Sequence, residues 1–83
     1  MNETENVISY IQDLCDDDTM PKNIKQKLFE FIEVLKNKEE LTIKIDKILC
    51  DLEEISNDVN IPSFVRTQLW NISSMLESLA SNI

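Results

Sequence analysis

Shifted by 41 residues, this chain of 83 residues matches itself. Val7, Ile8, Ile11 and Leu14 then fall on Ile48, Leu49, Leu52 and Ile55. Asp17, Met20, Pro21, Ile24, Lys25, Leu28 and Phe29 fall on Asp58, Ile61, Pro62, Val65, Arg66, Leu69 and Trp70. A period near 40 residues is that of paired-helix repeats, whose units cannot bury an apolar face alone and need a neighbour to cover it. The sequence therefore describes one helix hairpin written twice, with one copy over about 3–37 and the other over about 41–82.

Within each copy the apolar residues recur in steps of three and four, which keeps them on one side of a helix. The first helix presents Val7, Ile11 and Leu14, widened by Ile8 and Cys15, and the second presents Ile24, Leu28, Phe31 and Leu35. The third presents Leu41, Ile45, Ile48, Leu52 and Ile55, and the fourth Val65, Leu69, Ile72, Leu76, Leu79 and Ile83. Such seams are those of bundle packing. Glycine is absent, which removes the Asn-Gly and Asp-Gly hairpins of sheets and the glycine-lined phosphate loop. Pro21 and Pro62 suit the first turn of a helix, where a missing N–H costs nothing, and each turns the residue before it away from helix. Asn2 followed by Glu5 resembles a capping box, and Thr42 can cap the third helix. Connections near 17–20, 37–41 and 57–61 are short enough to make consecutive helices antiparallel neighbours. The expected fold is all-α, a single-domain four-helix bundle of two tandem hairpins.

The net charge of −8 is unevenly spread. Residues 1–21 carry six acids and no base, whereas residues 22–47 hold seven of the eight basic residues against five acids. Affinity for a phosphate backbone rests on lysine and arginine contacts, which a strongly acidic domain opposes. Lysines 22, 25, 27, 36, 38, 44 and 47 alternate with Glu30, Glu33, Glu39 and Glu40, the pattern of an ordinary solvated helix surface. A nucleic-acid-associated regulator using segment 22–47 is thus the alternative function and not the leading one. No stretch approaches the apolar length of a membrane span, and two cysteines without metal spacing suit a reducing interior. The expected location is cytoplasmic.

Two resemblances attach to these residues. The pattern Asp58-x-x-x-Pro62-x-x-Val65-Arg66, echoed by Asp17-x-x-x-Pro21-x-x-Ile24-Lys25, resembles the turn of a HEAT repeat. Two copies are too few for a solenoid, so this likeness is one of motif. The stretches MPKNIKQ, LKNKEELT and SNDVNIPSFVRTQLWNISSMLE are similar to the small archaeal proteins grouped as uncharacterised protein family 0147, across nearly the whole chain. That resemblance implies a compact helical fold in an archaeal cytoplasm. It implies no activity and no functional residues. Phe29 and Phe31 stand where smaller residues are usual in such relatives.

Few residues invite a chemical role. Asp16, Asp17 and Asp18 form the one dense acidic cluster, but consecutive carboxylates cannot all converge on one ion, and the glycine of a calcium loop is missing. The simpler reading gives Asp17 and Asp58 structural work in equivalent turns, capping the helices that follow or pairing with Lys25 and Arg66. Cys15 flanks the first seam, whereas Cys50, one heptad after Ile43, faces outward with it. If the repeats superpose, the two thiols are offset by about 9 Å along parallel helices, too far for a disulfide. The chain has no histidine, so neither thiol nor the adjacent Ser73 and Ser74 has a ready base, and Tyr10 stands alone. No enzyme, cofactor or metal is expected. Phe29 and Trp70, one step past the seam residues Leu28 and Leu69, are the residues to pursue. Together with Ile32, Ile43 and Cys50 they form the candidate interface, for a protein partner or a homodimer. The competing reading makes them part of a wide core stripe. The leading expectation is a non-catalytic protein-interaction module or structural subunit.

Overall fold

The computed structural model describes residues 3–81. They form four helices, α1 (Glu3–Cys15), α2 (Lys22–Lys36), α3 (Leu41–Ser56) and α4 (Ser63–Ser81). No strand occurs among the described residues. The longest helix, α4 with 19 residues, spans about 28 Å, close to the 34 Å long dimension of the molecule. Each packs against its two neighbours around a ring: α1 on α2, α2 on α3, α3 on α4, and α4 back on α1. The diagonal pairs do not approach.

This closure relates the two hairpins by a pseudo-twofold axis along the bundle, which exchanges α1 with α3 and α2 with α4. In a solenoid, equivalent helices lie side by side. Here α1 meets α4 and α2 meets α3, so the likeness to stacked repeats ends at the turn. The seams read from the sequence converge as expected. Leu28, Leu52 and Leu69 are buried, and so are Phe31, Ile45, Ile48, Ile72 and Leu76. The turn residues Met20 and Ile61 plug the same end of the core from equivalent positions. Leu41 and Ile55, at the rims of the third seam, are only half-buried.

The turns share their backbone and carboxylate–amide bonds. The Asp17 carboxylate accepts from the amide (2.9 Å) and hydroxyl (2.7 Å) of Thr19, and Asp58 accepts from the amide of Asn60 at 2.9 Å. The amides of Met20 and Ile61 donate to the carbonyls of Asp17 (3.1 Å) and Asp58 (3.3 Å). These are Asx turns, in which a short acidic side chain mimics one more stretch of backbone. Four sequence expectations about helix ends are corrected. Asp17 and Asp58 do not cap α2 and α4, because each carboxylate bonds two residues ahead, while the helix starts several residues further on. Arg66 donates to the main-chain carbonyl of Asp58 at 3.1 Å instead of pairing with its carboxylate. Pro21 and Pro62 precede the helices, and Pro21 is the N-cap of α2, its carbonyl accepting the first helical bond from Lys25 at 2.9 Å. Glu40, not Thr42, is the N-cap of α3. The proposed cap at Asn2, and Ile83, lie outside the described residues.

Candidate functional site

The two hairpins diverge at one crevice. Between α3 and α4 lies a groove of about 560 Å³, floored by Leu49 and Leu52 and walled by Ser56, Ser73 and Trp70. Subtracting the repeat of 41 turns these five positions into Ile8, Ile11, Cys15, Ile32 and Phe29. In the first hairpin Ile32 and Cys15 are buried, whereas Ser73 and Ser56 are only half-buried. A branched apolar side chain thus fills in α1–α2 what a serine leaves open in α3–α4. Ile32, expected on the outer surface beside Phe29, belongs to the core instead, at 5% exposure. A helix that touches two neighbours has a buried arc wide enough to include this position.

Trp70 closes one side of the groove and is 69% exposed, and its counterpart Phe29 is 54% exposed. Neither is part of the core. Yet they do not share a patch, since α2 and α4 stand diagonally and the pseudo-twofold sends equivalent positions to opposite sides of the bundle. Ile43 and Cys50 are exposed on α3 as expected. Val59 and Phe64, in the second turn and the start of α4, are also exposed. They were not singled out from sequence, because Val59 aligns with Asp18 and Phe64 with Asn23. That contrast between copies was the available signal.

Charge separates the two sites further. The groove carries Glu53 and Glu77 at its rim and no basic residue in its lining. At the equivalent places the first hairpin has Gln12 and Lys36, and within two turns of Phe29 on its side of the helix stand Lys22, Lys25, Glu33 and Lys36, of mixed sign. The wider lysine-rich segment does not form a face of one sign either. Lys44 is buried at 8% exposure, with its ammonium donating to the Leu35 carbonyl at 3.0 Å. Lys27 lies 3.5 Å from Glu30, and Lys27 and Lys47 share the α2–α3 crevice with Glu30, Glu33 and Asp51.

Tyr10 is not alone. Its hydroxyl donates to the Gln68 side-chain carbonyl and accepts from the Asn71 amide at 3.1 Å, tying α1 to α4 beside the groove. Burial, then the neighbouring Asp16, push the Cys15 thiol up from 9.0, against the smaller pull of Lys25. That group stays protonated and unreactive at neutral pH. Both cysteines are free. Hydrogen bonds from Thr19 hold the Asp17 carboxyl below 3.8. Among the described residues no three His, Cys, Asp or Glu side chains gather as a metal site would require. No helix of the described residues is long and apolar enough to cross a membrane.

Comparison with known proteins extends across the chain. The family described as Uncharacterised protein family (UPF0147) matches residues 1–79. A UPF0147 protein of Methanothermobacter thermautotrophicus is 41% identical over 80 residues, covering 94% of this chain and 78% of that protein. One from Archaeoglobus fulgidus is 33% identical over 76 residues, covering 92% and 87%. The crystal structure of a UPF0147 protein from Thermoplasma acidophilum superposes with a TM-score of 0.86 at 33% identity, covering 94% of this chain and 93% of that one. That of a protein of unknown function, MMP1188, gives 0.82 at 32% identity, covering 92% and 88%.

Proposed function

Because the chain belongs to the uncharacterised protein family UPF0147, whose name carries no activity, we propose from its surface that it is a non-catalytic protein-interaction module of the cytoplasm. The observation that carries this reading is the exposure of large apolar side chains that the fold does not need outside: Phe29, Val59, Phe64 and Trp70. A small bundle with a closed core gains nothing from an indole in water, and aromatic side chains beside a groove are the usual anchors of protein interfaces. Net charge of −8 favours a partner with basic surface and disfavours nucleic acid.

The test is affinity capture from the native cell with wild type and with the Trp70→Ala and Phe29→Ala variants, followed by mass spectrometry. A protein retained by wild type and lost with one aromatic supports the module. Retention of RNA or DNA that falls steeply with added salt favours the nucleic-acid alternative. Captures in which both variants retain the same proteins as wild type sink the reading.

A further inference from the structure

The α3–α4 groove is a different object from a generic sticky surface, because three independent features meet there. One wall is short where the first hairpin is filled: Ser73 stands at the position of Ile32, and polar Ser56 at that of Cys15. Its side is a tryptophan with most of the ring in water. Its rim is acidic, with Glu53 and Glu77 and no base in the lining. We infer that the groove between α3 and α4 receives an apolar side chain of a partner protein segment whose flanking residues are lysine or arginine, with Trp70 covering the inserted group and Glu53 and Glu77 meeting the cations.

The physical case follows from these features. An apolar group entering the groove leaves water against half-buried Leu49 and the indole, which supplies the non-directional part of the affinity, while Ser56, Asn57, Asn71, Ser73 and Ser74 in the same lining offer hydrogen bonds to the segment's main chain. Lysine or arginine beside it gains from the rim carboxylates and from the exposed face of the indole. A second copy of this chain fits less well. A symmetric contact through the groove would bring two acidic rims, four carboxylates in all, into one interface, and like charges close together there are costly. The Phe29 side has no matching invitation, since Ile32 and Cys15 close its crevice and its surroundings are of mixed sign. This inference rests on the module reading and specifies its partner.

The experiment uses the full chain. A display library of short randomised peptides is selected on wild type, and the enriched sequences are titrated against the protein while the fluorescence of Trp70, the sole tryptophan, is followed. Expected are peptides with an apolar anchor between lysines or arginines, and a saturable blue shift as the indole is covered. Ser73→Ile, which copies the first hairpin and fills the groove, should weaken binding by at least an order of magnitude, on the order of a lost anchor contact. Glu53→Lys combined with Glu77→Lys, both surface changes, should weaken it about tenfold or more and flatten its dependence on salt. Circular dichroism melts confirm that each variant is folded. Enriched peptides that are acidic, or that bind Ser73→Ile as well as wild type, overturn the inference while leaving an interaction module acting elsewhere. No enrichment also overturns it, and the native capture above then judges the module separately. A dimer of the free protein that Ser73→Ile dissolves overturns it in favour of a second copy.

Discussion

Position 32 of the first hairpin is isoleucine and the matching position 73 of the second is serine. Around this difference the hairpins keep everything that folding needs: the same Asx turn, the same plug at Met20 and Ile61, the same leucines at 28 and 69. They part only where a side chain leaves the shared seam. The first hairpin uses Ile32 and Cys15 to finish a core, and the second spends the same positions on an open groove beside Trp70. Both copies carry the core, and they differ in what stands beside it. The seams between hairpins diverge in the same way. Where α1 meets α4, Tyr10 bonds Gln68 and Asn71 as neutral partners, whereas at the corresponding positions of the α2–α3 seam stand Asp51, Lys27 and Glu30.

Exchanging the two residues is the most severe way to break this comparison. Ile32→Ser should cost about 3 kcal/mol, from a lost apolar group plus a cavity and a buried hydroxyl, and lower the melting temperature on the order of 15 °C. Ser73→Ile should change stability by less than about 1 kcal/mol, since the groove already has room for it. Equal losses in the two melts would show that the hairpins do not differ as described. Next comes Lys44, which ties α3 to the end of α2 and whose repeat counterpart is Glu3. Lys44→Met keeps the apolar stem but orphans the Leu35 carbonyl, and should cost about 1–2 kcal/mol in urea unfolding. A neutral result would mean that removing the buried charge offsets the lost bond.

Smaller effects separate the seams. Tyr10→Phe should cost about 1 kcal/mol, because a partly buried hydroxyl serves two partners. Lys27→Ala should cost no more than about 0.5 kcal/mol, its ion pair being exposed. The reverse order in denaturant titrations would remove the distinction between neutral and ionic seams. The smallest effect concerns the first turn. The Asp17 carboxyl titrates below 3.8 because the folded chain's Thr19 hydrogen bonds favour its charged form, with Lys25 adding a lesser pull. A lowered folded value means that its contribution to stability is present above the ordinary carboxylate range and is lost as pH falls through the lowered one. Thr19→Val should return the Asp17 value toward 3.8 by NMR titration, and an unmoved titration would place the cause elsewhere.

Most of the fold was legible because periodicity is a local property with a global consequence. A stripe at three-and-four spacing can be satisfied only by burial, and four such stripes joined by short links close into one bundle. The off-seam residues were less legible. Phe29 and Ile32 are one helical turn apart and equally apolar, yet one is exposed and the other buried. Spacing does not reveal how wide an arc the two flanking helices cover. Lys44 was misplaced for a related reason, since its charge argued for solvent while its position over the end of α2 offered a carbonyl. The turn acids were recognised as equivalent, but their partners depended on backbone geometry two residues away.

The amino-acid order alone determined that the chain is a duplicated hairpin, which residues form the central seam of its interior, and that its turns are equivalent, because hydrophobic period and turn chemistry act over a few neighbouring residues. Tertiary structure decided that the copies close as a ring and not as a stack, that Phe29 and Trp70 face opposite ways, and that a groove between α3 and α4 lies beside Trp70. Those outcomes depend on how much space a neighbouring helix leaves, a quantity set by the packing of both helices together.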